Sequence, residues 1–312
     1  MATIALCIPA YNAAWCLPKL LKSANDQLIP FDEILVYNDC STDNTEEIAK
    51  KFGATVITGS VNVGCSIGKN RLASICKSEW IHFHDADDDI LPNFSTEINL
   101  WIENHAKRFD LLILNYNYID YETNTILGSA SIDKELLRFD AIKYTITNKL
   151  VNFGLYNRVE FLNAGGFDTD KKVLYNEDNA LHQRLAIKGL KFDYLETITC
   201  VNYLHKTSMS QLNRLNCAKA NFHVLAKTAG SQGEKYAQEI VSRLYACIVT
   251  LSFYQEWDYI KEALKLCKAL GQPHSTTGSR IFNILTTVNP FIAVWLREKM
   301  IRIFKPKLRR DA

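Results

Sequence analysis

No uninterrupted apolar run in the 312 residues reaches the roughly 18 to 20 needed to cross a bilayer. The nearest candidate, residues 281–296, is broken by Asn283, Thr286, Thr287, Asn289 and Pro290, so it is expected to lie on a membrane rather than span one. Nine cysteines at 7, 16, 40, 65, 76, 200, 217, 247 and 267 include no Cys-x-x-Cys pair. That spacing excludes a zinc ribbon or a dithiol redox motif, and the odd, scattered set reads as reduced, buried thiols of a cytosolic protein. A basic stretch followed by an apolar one is missing ahead of the strand pattern at 3–8, so no secretory signal is expected. There is no internal repeat, low-complexity segment or long Gly/Ser linker. Charge of one sign is also scarce, because the net is only +2. Residues 295–312 alone carry a net +5, leaving −3 for everything before them. Such a body excludes a basic nucleic-acid-binding protein, and the tail is matched to an anionic membrane surface.

What is present is an ordinary globular composition, 47% hydrophobic and 22% charged. Strand-like and helix-like patterns alternate: 4–8 then a helix from about 14, 33–37 then 43–52, 55–58 then 66–77, 80–83 then 93–107, with a further strand at 110–117. Alternation of this kind predicts an α/β fold, a mainly parallel sheet flanked by helices. The rhythm stops near 120. A helix near 139–149, an irregular segment at 151–178 and a strand at 192–203 follow, and then helical patterns at 212–228, 235–253 and 259–270. The expected division is an α/β domain over 1–210 and a helical region over 211–312.

The densest chemistry is His82-Phe83-His84-Asp85-Ala86-Asp87-Asp88-Asp89, with four carboxylates directly after a strand. Carboxylates so close repel one another, and oxygen-only ligands suit a hard divalent cation such as Mg²⁺ or Mn²⁺. Ligands of open α/β sheets bind beyond the carboxyl ends of the strands, which is where a nucleotide's phosphates are expected. Alternation puts His82 and His84 on one strand face, and they read as packing groups before ligands. A solvated acidic turn ahead of a helix is the plainer alternative.

The first strand ends in Cys7-Ile8-Pro9-Ala10-Tyr11-Asn12 and the second in Asn38-Asp39-Cys40-Ser41-Thr42-Asp43. Both ends fall on one sheet edge, where Tyr11 offers a ring face to a base and Asp39 a carboxylate to the imide proton of uracil. Asn62-Val63-Gly64-Cys65-Ser66-Ile67-Gly68-Lys69-Asn70-Arg71 is a glycine-bearing loop running into a helix, with two cations in its opening turns. Phosphates favour such a helix start.

Together these segments, with Gly165-Gly166-Phe167-Asp168 and Asn176-Glu177-Asp178 downstream, resemble the family 2 glycosyltransferases over residues 1–210. The resemblance implies the GT-A fold, a Rossmann-like nucleotide-diphospho-sugar transferase, with a C-terminal helical extension. It implies donor-nucleotide contacts from Pro9, Tyr11, Asn12, Asp39, Asn62, Gly64, Lys69, Asp85 and Ala86. It further implies a Mn²⁺ or Mg²⁺ ion on Asp87 and His205, an acceptor side at Gly165, Gly166, Phe167 and Glu177, and Asp178 as catalytic base. The implied reaction is inverting transfer of a hexose or N-acetylhexosamine from a UDP-sugar to a glycan hydroxyl. By similarity to bacterial O-antigen and capsule enzymes, the acceptor is expected on polyprenyl diphosphate at the cytosolic face of the inner membrane. A catalytically silent nucleotide-sugar-binding or assembly protein is the alternative.

The chain departs from the family pattern at three places. Gly68-Lys69-Asn70 stands where Ala-Arg-Asn is usual, which puts a point charge or Arg71 in place of a bidentate phosphate contact. Asn179-Ala180 replaces the acid that often follows the base. Gln211-Leu212-Asn213-Arg214-Leu215 lacks the Trp of processive members, which favours single addition over polymerisation. The tail from Trp295 to Lys305, followed by Lys307, Arg309 and Arg310, reads as an interfacial helix with a polybasic end.

Overall fold

The computed structural model describes residues 2–205, 212–272 and 279–309. Lys206 to Ser210, Gln211 and Arg310, which figure in the sequence reading, lie outside them. The chain forms two compact units, one of residues 1–141, 150–169 and 184–208, the other of 142–149, 170–183 and 209–312. Two short stretches that the sequence places with the sheet, 142–149 and 170–183, group with the helical unit.

In the first unit the elements are β1 (Ile4–Ala10), α1 (Leu17–Asn25), β2 (Glu33–Asn38), α2 (Thr45–Lys51), β3 (Thr55–Thr58), α3 (Cys65–Ile75), β4 (Trp80–Phe83), β5 (Asp89–Ile90), α4 (Phe94–His105), β6 (Leu111–Asp120), β7 (Ile126–Ser129) and α5 (Lys134–Phe139). After α6 (Ala141–Thr147) come β8 (Gly154–Asn157), α7 (Arg158–Asn163), α8 (Glu177–Ile187) and β9 (Phe192–Leu204). Among the described residues nine strands make one sheet in the order β3-β2-β1-β4-β8-β6-β9-β5, with β7 on β6. The stretch β3-β2-β1-β4 is parallel. Antiparallel β8 then separates β4 from β6, and β6 resumes parallel pairing with β9. The sheet is thus mixed, with its parallel part where the sequence alternates strand and helix.

Strand β1 is buried along almost its whole length because helices cover both faces. Leu6 and Ile8 meet Leu17, Leu20 and Leu21 of α1, and Trp80 packs edge-on against Trp101 of α4 at 5.5 Å. Each such side chain contributes roughly 1.5 to 3 kcal/mol of burial. The spacing of Leu17, Leu20, Leu21 and Ala24 puts one stripe of α1 on the sheet.

Asp193 on β9 shows what holds the far side together. It is 1% exposed and accepts from the Trp101 indole, the Arg138 guanidinium and the Tyr194 amide, each at 2.8 Å. Burial by itself would raise this carboxyl, but the bonds led by Arg138 outweigh it and hold the group below the usual carboxylate range. A depressed folded value stabilises the fold above the unfolded value of about 4 and is lost as pH falls through the folded one. Asp193→Asn is therefore expected to cost about 2 kcal/mol at neutral pH, with the difference from wild type shrinking as pH falls below the unfolded value of about 4. Urea unfolding across that range checks it, and a pH-independent difference would overturn it.

The second unit contains α6, the first half of α8, α9 (Arg214–Gln232), α10 (Ala237–Phe253), α11 (Trp257–Ala269), α12 (Arg280–Val288) and α13 (Pro290–Phe304). Ile240, Leu244, Ile248 and Leu251 of α10 line its core with Phe222, Leu225, Ile260 and Ile146. Ile146 brings 142–149 into this unit, and the contacts of Val173 and Ala180 with Val224 bring in 170–183. Asn289-Pro290 ends one helix and starts the next: the Asn289 side chain accepts from the Ile292 amide at 3.0 Å, and proline sits where no amide donor is needed. No described helix is long and apolar enough to cross a membrane. None of the nine cysteines is disulfide-bonded, and six are buried.

Candidate active site

Parallel pairing puts the carboxyl ends of β2, β1 and β4 side by side, so the Asp39, Tyr11 and Asp85 segments share one edge in that order. The turn after β1 is set by Asn12, which adopts a left-handed φ of 49° that asparagine tolerates well. Its side chain accepts from the Thr42 amide at 2.9 Å and its own amide donates to Ser41 Oγ at 2.9 Å. Asn12 thus ties the first loop to the second. Tyr11 beside it is 54% exposed, with its ring open to a ligand. Pro9 lies in β1 opposite Tyr37.

Asp39 is buried, and its two oxygens accept from the Val63 and Gly64 amides at 2.8 Å each. The carboxylate therefore shapes the glycine-bearing loop, in which Gly64 has φ 89° and Asn62 is exposed. Each oxygen retains a lone pair for a further donor. Gly68 has a plain reason to be glycine, since a Cβ there would stand 2.6 Å from Cδ1 of the buried Tyr37 ring. Arg71 donates to the Tyr37 hydroxyl, so it is engaged at the ring rather than extended toward the loop.

Lys69 is 1% exposed and pairs with Asp85 at 2.9 Å, its ammonium 5.1 Å above the Phe167 ring. Asp85 reaches solvent on its other side, and Ala86 is buried behind it. Asp87 also touches solvent, yet enough protein surrounds it that burial, and next the charge of Asp85, push its carboxyl above the ordinary value. Asp88 is driven up further by burial, then by Asp87 and Asp85. It is structural: its oxygens accept from the Asn202 side chain at 3.0 Å and the Tyr203 amide at 2.9 Å, fixing the end of β9. His205 follows two residues later, its ring against Tyr121 at 4.0 Å and Trp15 at 5.3 Å. A hard divalent cation fits this donor set, because its charge would offset both the burial and the Asp85 repulsion that raise Asp87.

Among the described residues, the group whose possible ligand atoms lie within 4.8 Å of one another is instead His82, His84 and Cys200. These are core residues. His82 Nδ1 bonds the Gly154 carbonyl and its Nε2 bonds His84 Nδ1, both at 2.9 Å. Burial pushes His82 down to about 4 and, with His82 next to it, takes His84 well below the usual imidazole value, so both rings are neutral.

Gly165 and Gly166 follow α7 with φ 90° and 60°. A Cβ on Gly166 would stand 2.4 Å from Asn70 Oδ1. That close approach lets the Asn70 amide clasp the Phe167 backbone, accepting from its N–H at 2.8 Å and donating to its C=O at 2.9 Å. Arg184 completes the loop through the Gly166 carbonyl at 3.0 Å and Asp168 at 2.8 Å. Glu177 and Asp178 occupy the first turn of α8, within the helical unit. The edge of the first unit thus gathers Asp39, Tyr11, Lys69, Asp85 and Asp87. Sequence reasoning does not single out Asn70, Tyr37, Trp15 and Tyr121 for these supporting roles.

This edge coincides with the span of a family model, Glycosyl transferase family 2, which matches residues 5–163. The chain belongs to that family. The uncharacterized glycosyltransferase YibD of Escherichia coli is 25% identical to it over 292 residues, which is 86% of this chain and 79% of YibD. S. aureus TarS 1–349 in complex with UDP-GlcNAc shares the fold at a TM-score of 0.73 and 14% identity, over 96% of this chain and 91% of TarS. The mannosyltransferase PcManGT of Pyrobaculum calidifontis, solved with GDP-Man and Mn²⁺, matches at 0.58 and 17% identity, over 98% and 81%. The chain is accordingly a glycosyltransferase-family protein with the GT-A fold.

Proposed function

We propose that this glycosyltransferase moves a hexose or N-acetylhexosamine from a UDP-sugar to a glycan hydroxyl with inversion, the glycan being carried on polyprenyl diphosphate in bacterial cell-surface polysaccharide synthesis. The observation that carries the reading is the order along the sheet edge, with Asp39 on β2, Tyr11 on β1, and Asp85 and Asp87 after β4. Uracil placed against Asp39 and Tyr11 directs the ribose toward Asp85 and Ala86 and the diphosphate toward Asp87. Asp85, Asp87 and His205 are the residues that would hold Mn²⁺ or Mg²⁺, which supplies positive charge to the departing diphosphate. Asp178 takes the proton of the acceptor hydroxyl. As the new carbon–oxygen bond forms on one face of the anomeric carbon, the bond to phosphate breaks on the other and its electron pair leaves with UDP. The nucleotide sugars held by TarS and PcManGT support a donor of this class.

The test is nucleotide release by purified protein across a panel of UDP-sugars and GDP-mannose, with Mn²⁺, Mg²⁺ or EDTA. Release from one UDP-sugar is expected, falling roughly 100-fold with EDTA or Asp87→Ala. Absence of release from every donor, together with absence of metal-dependent UDP binding, would overturn the site.

Membrane attachment is proposed for α12 and α13. Ile281, Val288, Ile303 and Phe304 are each more than two-thirds exposed, and the two helices border a largely apolar cavity of about 770 Å³. Glu298, 1% exposed, pairs with Arg302 at 2.9 Å and Arg309 at 2.8 Å. Two cations of the tail are thereby engaged internally, which leaves, among the described residues, Arg297, Lys299, Lys305 and Lys307 beside the apolar face. At about 1 kcal/mol each near an anionic surface, four cations give reversible, salt-sensitive binding. Cosedimentation with phosphatidylglycerol vesicles but not phosphatidylcholine vesicles is expected, weakened by Phe304→Glu. Equal binding to both lipids would sink the electrostatic part.

A further inference from the structure

We infer that a second pocket, wholly within the helical unit, binds an anionic group on the acceptor glycan, a phosphate or a carboxylate. The cavity holds about 440 Å³ and is lined by Lys149, Arg214 and Arg243 together with Asn176, Asn179 and Asn221, with no carboxylate among its lining residues. None of the three cations pairs with an acid among the described residues, whereas Lys219 and Lys227 of the same unit do. Three cations converging on one cavity without a lining carboxylate, Glu177 being the acid near its Cys217 wall, are the electrostatic signature of an anion site.

The backbone adds to the field. α8 and α9 both begin at this cavity, since Asn176 and Asn179 flank the first turn of one and Arg214 opens the other. Two helix N-termini contribute partial positive charge and amide donors where the cations already converge. The three amides are built in rather than scattered. Asn176 donates to Asn221 Oδ1 at 3.2 Å, and Asn221 donates to the Cys247 sulfur at 2.9 Å, which fixes both side chains. Asn179 is 4% exposed and its Oδ1 has no hydrogen-bond partner, which suits it to accept from a sugar hydroxyl next to the anion. Cations for a charge and an amide for a hydroxyl describe a charged sugar better than a free inorganic ion.

The inference deepens the glycosyltransferase reading and rests on it for one point, that the ligand is the acceptor. Asn176 and Asn179 bracket Glu177 and Asp178 in the chain, so a charged sugar held against these asparagines is anchored at the turn that carries the proposed base. Such an anchor selects among acceptors without touching the donor.

Calorimetric titration of the full chain, with Mn²⁺ and saturating UDP to fill the donor site, tests this using glucose, glucuronate and glucose 6-phosphate as probes. Both charged sugars, or one of them, are expected to bind at least roughly tenfold tighter than glucose. Preference for glucose 6-phosphate assigns a phosphate and preference for glucuronate a carboxylate. Arg243→Gln should weaken that binding about tenfold with UDP affinity unchanged. Because Arg243 is half-buried, exposed Lys149→Gln and Arg214→Gln provide the same readout with little risk to folding. Charged probes that bind no tighter than glucose, or that bind equally to all three variants, overturn the pocket. UDP affinity, titrated alongside, reports on the donor site independently: its loss with anion binding retained would remove the nucleotide-sugar reading and leave the pocket standing.

Discussion

Asp178→Asn will lower turnover of the preferred UDP-sugar by roughly 10³-fold while UDP and metal binding stay at wild-type strength. The amide keeps the shape of the carboxylate and cannot take a proton, so an acceptor hydroxyl would have to attack undeprotonated. Donor contacts are assigned to Asp39, Tyr11, Asp85 and Asp87 on the sheet edge, whereas Asp178 sits in the first turn of α8. Turnover and binding are therefore expected to separate, with kcat falling and UDP affinity holding. Turnover within a few-fold of wild type would move the base elsewhere, with Glu177 the next residue to test. Parallel loss of UDP binding would show that Asp178 supports the fold rather than the chemistry.

Gly166→Ala is the substitution expected to destabilise the first unit most through backbone strain and steric overlap. The residue holds φ 60°, a region that costs a side-chain-bearing residue about 1 to 2 kcal/mol. The added methyl would also stand 2.4 Å from Asn70 Oδ1, which forces the clasp on Phe167 to open. Two hydrogen bonds at about 1 kcal/mol each bring the total near 3 kcal/mol. Chemical unfolding of the single variants and of the Asn70→Ala, Gly166→Ala double variant checks this, since both singles break the same clasp and their costs should sum to more than the double's. A Gly166→Ala cost under about 0.5 kcal/mol would refute the account.

Legibility in the sequence followed the range of the interaction concerned. Strands β1, β2 and β4 carry short apolar runs flanked by turn residues, and their order along the chain is enough to place Asp39 and Asp85 on one edge. The two-residue β5 and the exposed β7 have no such pattern, because their partners rather than their own side chains define them. The sheet turns antiparallel at β8 because Gly154–Asn157 inserts between β4 and β6 from about forty residues further along, and nothing local announces that. At the site, the residue types were readable and the supports were not. Asn70 finds Phe167 across 97 positions, and Asp88 finds Asn202 across 114. Glu298 is the same case in the tail: counted as a charge it looks like a small offset to seven cations, but buried it binds two of them.

The Tyr37 ring against Gly68 bears on how this chain has diverged from its kin. Position 68 is where alanine is usual, and here a methyl group would overlap a buried aromatic ring. The volume that alanine would occupy on α3 is filled by the ring from β2, and the phenol at its end has Arg71 as a partner. Positions 37 and 68 are thus sterically coupled in this chain. A relative with alanine at the second should carry a slimmer residue at the first, and the arginine three places on is then released from the ring to face the loop. The glycine at 68 therefore answers to a ring thirty-one residues upstream on a neighbouring strand, and Gly68→Ala is tolerated only with a slimmer side chain at 37.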